Sequence, residues 1–184
     1  LRIFVPFAAG YFLSFLFRVV NAVLAPQLLA DLSLAPSTLG LLTATYFIAF
    51  ASAQLPLGVL LDRYGPRRVE ALLLVIAAGG AFCFARAQSL PMLILGRALI
   101  GLGVSACLMA AFKAFTQWFV PEKLALINGL QMAAGGLGAL AATSPVQWML
   151  GWSSWRGVFL GLSLLSLAVA VLVFCMVPAR TTSG

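Results

Sequence analysis

The sequence predicts an all-α integral membrane protein with six transmembrane helices. Of its 184 residues, 63% are hydrophobic and 8% are charged, whereas a soluble domain carries about 25% charged residues. The mean hydropathy is +1.11. A helix needs about 20 apolar residues to cross a bilayer, and long apolar blocks without the alternation of barrel strands favour helices. The predicted helices cover 3–25, 38–61, 69–85, 90–119, 124–150 and 155–177.

The first predicted helix carries a polar stripe. Tyr11, Ser14, Arg18 and Asn21 are spaced by 3, 4 and 3 residues, which places them on one helix face. An arginine near the centre of a membrane helix costs about 2.5–3.5 kcal/mol to insert. We interpret the stripe as lining a polar cavity, with Arg18 as a bidentate anchor for a carboxylate or phosphate. A structural arginine satisfied by neighbouring helices is the alternative.

A charged turn joins the second and third helices. The third block is short, and we expect its helix to extend into this turn. The residues that define the turn are Gly58, Asp62, Arg63, Gly65, Arg67 and Arg68.

The third and sixth helices carry almost no polar side chains. We therefore expect them to face lipid over much of their surface.

The fourth helix contains a second arginine at membrane depth, within Arg97-Ala-Leu-Ile-Gly101-Leu-Gly103. Arg97 either faces a cavity or extends toward the outer surface. Lys113 lies about 160° around the helix from Arg97, so the two cannot share a face unless the helix is kinked. We expect Lys113 and Trp118 to lie at the cytoplasmic interface.

The fifth helix carries a narrow stripe of small and polar residues at spacings of three and four. Such a stripe allows another helix to approach closely. Gln131 lies in this stripe and is a further candidate for binding substrate. The stripe consists of Asn128, Gln131, Gly135, Gly138, Ala142 and Pro145.

The positive charges indicate an orientation. Lys and Arg are enriched in cytoplasmic loops, so both termini are predicted to be cytoplasmic. The net charge of +7 is therefore not the basic face of a nucleic-acid-binding protein. With this orientation the outer side holds Arg86 and Arg156, and the cytoplasmic side holds Arg2, Arg63, Arg67, Arg68, Lys123 and Arg180.

Acidic residues are few, and we place all four outside the membrane. Asp31 falls in the outer loop between Pro26 and Pro36, whereas Asp62, Glu70 and Glu122 fall at inner boundaries. Without histidine or paired intramembrane acids, the chain offers no catalytic residues for an intramembrane protease or a metal-dependent lipid phosphate transferase. No metal site or cofactor is predicted. Three cysteines, at 83, 107 and 175, are interpreted as buried small hydrophobes without disulfides.

Four segments resemble motifs of the major facilitator superfamily. The charged turn, Gly58-x-x-x-Asp62-Arg63-x-Gly65-x-Arg67-Arg68, resembles its loop 2–3 signature, although Pro66 stands where a basic residue is usual. The fourth-helix segment with Arg97, Gly101 and Gly103 resembles a motif linked to proton coupling. The segment before Pro145 partly resembles the fifth-helix antiporter motif, with Ser-Pro in place of Gly-Pro. The segment that starts with Trp155-Arg156 resembles the family's entry to the sixth helix.

This resemblance implies a fold and a mechanism. The chain would be the N-terminal half of a 12-helix major facilitator fold, built from a 3+3 inverted repeat, with the C-terminal half missing from residues 1–184. Helices one and four would line the cavity, two and five would face the other half, and three and six would lie at the periphery. Asp62 would bond across to the other half and act as a conformational latch; simple anchoring of the loop is the alternative.

We therefore expect a secondary active transporter of a small organic or inorganic anion that works by alternating access in the plasma (bacterial inner) membrane. The anion follows from Arg18, Arg97 and the absence of intramembrane acids. Protons are a candidate coupling ion, which would make the protein a symporter. A proton-driven efflux antiporter and a non-transporting six-helix membrane module are the competing hypotheses.

Overall fold

The computed structural model describes residues 2–178, which form helices joined by short turns. Arg180 and most of the C-terminal linker lie outside the described residues. The helices are α1 (Phe4–Asp31), α2 (Ser37–Tyr64), α3 (Pro66–Ala85), α4 (Leu90–Gly103), α5 (Cys107–Trp118), α6 (Pro121–Ala141), α7 (Ser144–Leu150) and α8 (Trp155–Met176).

These helices make six apolar segments long enough to cross a membrane, which confirms the predicted fold class. α4 and α5 together form the fourth span, and α6 and α7 together form the fifth. The charged turn between α2 and α3 lies at one end of the bundle, which we call the arginine-rich end. The loop between α1 and α2 lies at the opposite end.

Several helices are longer than the sequence predicted, and the differences in α1 and α3 have a clear local cause. α1 continues through Pro26 to Asp31, six residues beyond the predicted end. Membrane helices tolerate proline because neighbouring groups satisfy the freed backbone carbonyl. α3 begins at Pro66, as its short apolar block led us to expect, since proline is favoured in the first turn of a helix.

The fourth span is interrupted at residues 104–106, between α4 and α5. Here the backbone forms tighter i to i+3 bonds: the Ser105 amide donates to the Leu102 carbonyl at 3.3 Å and the Cys107 amide to the Val104 carbonyl at 3.4 Å. Such tight turns within a helix often mark a hinge. The side-chain amide of Gln54 on α2 donates to the Ser105 carbonyl at 3.1 Å, which satisfies an acceptor at the interruption.

The fifth span is interrupted at Ala142 and Thr143, between α6 and α7. Thr143 has the non-helical angles φ −93° and ψ −107°. Pro145, in the first turn of α7, has no amide hydrogen to donate and favours a break before it. The Ser-Pro pair therefore begins a separate short helix.

α3 is central to this half, packed against α4 on one side and α8 on the other. Of its most apolar 18-residue stretch, 61% is buried, against 22% in the second and fifth spans. Other helices therefore cover more than half of this stretch, because small residues let them approach, and the apolar surface left for lipid includes Leu72, Val75 and Phe82. Close contacts between Gly80 of α3 and Gly96 of α4 illustrate this packing.

Candidate functional site

Arg18 lies at the midpoint of the 28-residue α1, and its guanidinium is surrounded by aromatic rings. The guanidinium carbon is 4.6 Å from the ring centre of Phe15, 5.8 Å from Phe47 and 5.6 Å from Phe50. A cation over aromatic faces gains about 0.5–2 kcal/mol. Its Nε atom is buried without a hydrogen-bond partner among the described residues. Arg18 is half-buried and Phe47 is exposed, so this group lies near the surface of the half.

The other polar residues of the α1 stripe are buried inside the half. Tyr11 donates from its hydroxyl to the sulfur of Met132 on α6 at 3.7 Å. Ser14 and Asn21 are almost completely buried, and the Asn21 side-chain oxygen has no hydrogen-bond partner among residues 2–178. Of the four stripe residues, Arg18 is therefore the one with a partly open environment.

Arg97 on α4 is fully buried, with 0% of its surface exposed. Its Nη1 donates to the backbone carbonyl of Phe17 on α1 at 3.2 Å. The guanidinium also lies over the ring of Tyr46 on α2, 4.7 Å from the ring centre. Its Nε and Nη2 have no hydrogen-bond partner within the described part of the chain. Arg97 thus does not extend to the outer surface.

Tyr46 lies between the two arginines. Its ring packs against Arg97 and against Phe50, whose centre is 6.3 Å away, and Phe50 in turn contacts Arg18. Its hydroxyl donates to the Ser14 carbonyl at 3.5 Å. Sequence reasoning missed Tyr46. A tyrosine well inside an apolar span, away from the interfaces where tyrosine concentrates, was the available signal.

Gln131 on α6 is fully buried against α1. Its amide nitrogen donates to the Phe7 carbonyl at 3.1 Å, and its oxygen has no partner among the described residues. The small residues beside it allow close packing: a β-carbon at Gly135 would lie 2.6 Å from the Tyr11 ring. The structure therefore places Gln131 at the α1–α6 contact and does not bring it into contact with either arginine.

The two glycines that follow Arg97 permit close helix contacts. A β-carbon at Gly101 would meet the backbone carbonyl of Tyr46 on α2, and one at Gly103 would meet the backbone of Ala77 on α3. Gly101 and Gly103 therefore hold α4 against two neighbours. This packing keeps Arg97 close to Tyr46.

The charged turn has contacts within this half. Asp62, at the end of α2, forms an ion pair with Lys113 on α5. The Arg67 Nε donates to the Phe174 carbonyl at the end of α8 at 2.7 Å. Gly65 has φ +77°, a conformation that glycine adopts without strain. A β-carbon at Gly58 would meet nothing within 4 Å, and Arg63 and Arg68 are exposed.

Glu70 requires a correction. We expected it at the inner boundary, but it lies in the second turn of α3 with 0% of its surface exposed. Neither carboxyl oxygen has a hydrogen-bond partner among the described residues. The expectation of an acid exposed at the boundary is therefore wrong, because the side chain is enclosed by the surrounding helices.

The cysteine interpretation also needs correction. Cys107 is buried, Cys83 is half-buried, and Cys175 is exposed near the end of α8. All three are free thiols. Within the described residues, no group of three or more His, Cys, Asp or Glu side chains could hold a metal ion.

At the opposite end of the bundle, Asp31 makes polar contacts with α8. Arg156 pairs with the Asp31 carboxylate and also donates to the Ala87 carbonyl at 3.2 Å. The Trp155 indole donates to the same carboxylate at 3.1 Å. One acidic residue thus connects the end of α1 to the start of α8.

Comparison with known proteins decides the family. The Major Facilitator Superfamily matches the chain over residues 7–183, almost its whole length. The chain belongs to the Major Facilitator Superfamily. This match agrees with the motifs of the charged turn and the fourth helix that resemble the same superfamily.

Several similar proteins are named as transporters of small solutes. A nitrate/nitrite transporter of Picosynechococcus sp. is 33% identical over 130 residues, which is 71% of this chain and 24% of that protein. A probable sulfoacetate transporter of Cupriavidus necator is 26% identical over 162 residues, covering 88% of this chain and 38% of that protein. A hexuronate transporter of Escherichia coli is 28% identical over 171 residues, covering 92% and 40%. The chain spans well under half the length of these relatives.

A solved structure shares the major facilitator fold. A bacterial homologue of the human lysosomal transporter Spinster, in an inward-facing and occupied conformation, superposes with a TM-score of 0.85 at 22% identity. The match covers 96% of this chain and 44% of that one. The six spans therefore correspond in fold to about half of a complete major facilitator protein.

Proposed function

We propose that this chain is the N-terminal half of a secondary transporter that moves a small anion across the membrane by alternating access. The observation that carries the proposal is the pair of arginines at membrane depth on neighbouring helices. Among the described residues, neither Arg18 nor Arg97 has a carboxylate partner. The two ion pairs found there, Lys113–Asp62 and Arg156–Asp31, lie at the ends of the bundle. An uncompensated guanidinium in a membrane protein favours an anionic ligand.

We assign different roles in anion binding to the two arginines. Arg18 is half-buried beside the exposed ring of Phe47, so it is the one that a solute would reach first. Arg97 is fully buried and holds the Phe17 carbonyl and the Tyr46 ring. We assign direct anion binding to Arg18, and to Arg97 the positive potential behind it. Tyr11, Ser14, Asn21 and Gln131 support the α1 helix from within the half.

The substrate class draws further support from the relatives. The nitrate/nitrite, sulfoacetate and hexuronate transporters are named for solutes that share a negative charge. These names describe the relatives, and we extend only the shared charge to this chain. A planar guanidinium fork binds carboxylate and other oxyanions through paired hydrogen bonds.

The surface of the half suggests where its partner lies. α2 and α6 expose large apolar side chains, among them Leu55, Val59 and Leu137, and their spans are the least buried. A further six-helix half would cover this surface, in line with the role that the family gives to its second and fifth spans. Gly58 has open space beside it, so a helix of that half could approach α2 closely at this point.

The orientation and the latch also belong to the proposal. The arginine-rich end would face the cytoplasm of a bacterial inner membrane, with both termini on that side. Asp62 is largely exposed in its pair with Lys113, so it could exchange this partner for a group of the other half. Breaking such a contact would shift the balance between outward-open and inward-open states.

Uptake into proteoliposomes tests the function. The full-length protein is reconstituted, and uptake of nitrate, sulfoacetate and a hexuronate is measured. Arg18→Ala should abolish uptake of the transported anion, and Arg18→Lys should retain part of it, because lysine keeps the charge but loses the bidentate fork. Arg86→Ala, which changes an exposed arginine at the end of α3, is the matched control.

Two outcomes would contradict the proposal. Unchanged uptake kinetics in Arg18→Ala would remove Arg18 from the anion site. Absence of uptake for every anion, with a well-folded protein, would favour efflux or a module that does not transport.

A further inference from the structure

Glu70 is a buried acid that the proposed anion site does not use. It lies in the span formed by α3, and its side chain is completely enclosed. Both carboxyl oxygens lack a hydrogen-bond partner among the described residues. Buried polar groups are nearly always paired, and an unpaired one in a native structure calls for an explanation.

The carboxyl occupies a notch that Gly10 of α1 leaves open. A β-carbon built at Gly10 would meet the Glu70 Oε1 atom, with Glu70 Cδ at 3.4 Å and the Cys107 sulfur at 3.7 Å. The carboxyl is therefore held where α1, α3 and α5 meet. Any alanine or larger residue at position 10 would occupy its place.

Within the described part of the chain, no cation pairs with Glu70. The candidate partners on neighbouring helices are engaged elsewhere: Lys113 of α5 with Asp62, Arg156 of α8 with Asp31, and Arg97 of α4 with the Phe17 carbonyl. The titratable group that faces Glu70 is the Cys107 thiol on α5. Among residues 2–178, α1, α2, α4 and α8 present no charged side chain to it.

An isolated carboxylate in an apolar site carries a very large desolvation penalty, which it avoids by becoming neutral. We propose that Glu70 is a proton-binding site, which holds a proton while α1, α3 and α5 are packed as in this structure. Its part in transport rests on the alternating-access function proposed above. A rearrangement that separates α1 from α5 would admit water to the Gly10 notch and release the proton.

Infrared spectroscopy tests for the proton directly, without any transport. The full-length protein in lipid should show a carbonyl band of a protonated carboxylic acid that shifts in D₂O and is lost in Glu70→Gln. Glu122→Gln, which changes an exposed acid in the first turn of α6, should leave this band intact. An unchanged band in Glu70→Gln would show that Glu70 is ionised and would overturn the proposal.

The folding of the variants gives a second criterion. Glutamine has nearly the shape of a protonated glutamate, so Glu70→Gln should accumulate in the membrane as the unaltered protein does. Failure of Glu70→Gln to fold would contradict a carboxyl that is neutral in this packing.

Transport assays then test the coupling role. With Glu70→Gln, solute exchange across the proteoliposome membrane should continue, whereas the stimulation of uptake by an imposed pH gradient should be lost. Full stimulation in this variant would remove Glu70 from coupling. If the unaltered protein moves no solute, the proposed transport function fails, and the infrared band still decides whether Glu70 holds a proton.

Discussion

Gly101 of α4 lies directly against the backbone carbonyl of Tyr46 on α2, where no side chain would fit. The contact occurs one helical turn after Arg97, whose guanidinium lies over the ring of the same tyrosine. A glycine and an arginine four residues apart share one face of α4. The contact between α2 and α4 therefore both packs the two helices closely and positions the buried charge of Arg97.

Gly101→Ala should lower the thermal stability of the protein. The new β-carbon would overlap with backbone, which cannot rotate away, and such overpacking costs about 1–3 kcal/mol. Gly161→Ala in α8 is the matched control, because a β-carbon there meets nothing within 4 Å. Alanine favours a helix over glycine by about 1 kcal/mol, so the control should be neutral or stabilising. Equal unfolding temperatures for the two variants would contradict this packing.

Gly10→Ala should also destabilise the protein, and Glu70→Ala should relieve the effect. The β-carbon at position 10 meets the Glu70 carboxyl, so removing that carboxyl frees the space. Residues in direct contact show coupling energies of about 0.5–3 kcal/mol in a double-mutant cycle. Thermal unfolding of the two single variants and the double variant measures this energy. Additive effects would mean that the two residues are not in contact.

Asp62→Asn should slow transport while solute affinity is retained. Because the Asp62 side chain is largely exposed, loss of its pair with Lys113 should cost no more than about 1 kcal/mol of stability. Turnover in proteoliposomes and equilibrium solute binding are the two measurements. Unchanged turnover would remove the latch role from Asp62.

A charge exchange identifies the partner of Asp62. If the contact with Lys113 is the functional one, Asp62→Lys combined with Lys113→Asp should recover turnover. If Asp62 acts through the other half, the double variant should remain slow. The two results assign the latch to one interface or the other.

Asp31→Asn should lower stability modestly, because it weakens the contacts made by Arg156 and by the Trp155 indole. The site is partly exposed, so about 1 kcal/mol or less is expected. Added salt should narrow the difference in unfolding temperature between this variant and the unaltered protein, since salt screens exposed charges. A difference that is independent of salt would mean that the ion pair contributes little and that packing is responsible.

Hydropathy was sufficient to predict the spans, because burial in lipid requires long apolar helices whatever their neighbours are. The prediction of continuous helices over 90–119 and 124–150 missed both interruptions, although Gly101 and Gly103 precede the first and Ser144-Pro145 follows the second. Their positions depended on packing. The first lies where Gln54 of α2 supplies a donor, a contact between distant parts of the chain.

Residue pairing could not be predicted in the same way. Glu70 is close to the charged turn in sequence, which led us to place it at the boundary. Its burial depends on space left by Gly10, sixty residues earlier in the chain. Lys113 meets Asp62 because of how α2 and α5 pack together. Periodicity shows which residues share a face, but not which face of another helix they meet.

The interruption at residues 104–106 changes how the fourth span can transmit movement. Arg97 belongs to α4, and Lys113, which meets Asp62, belongs to α5. A continuous helix would move as one rigid body, so a tilt at the end near Asp62 would also displace Arg97. Two helices joined by a turn, as α4 and α5 are, need not move together. In the proposed transport cycle, the charged turn and the buried arginine would then change position in separate steps.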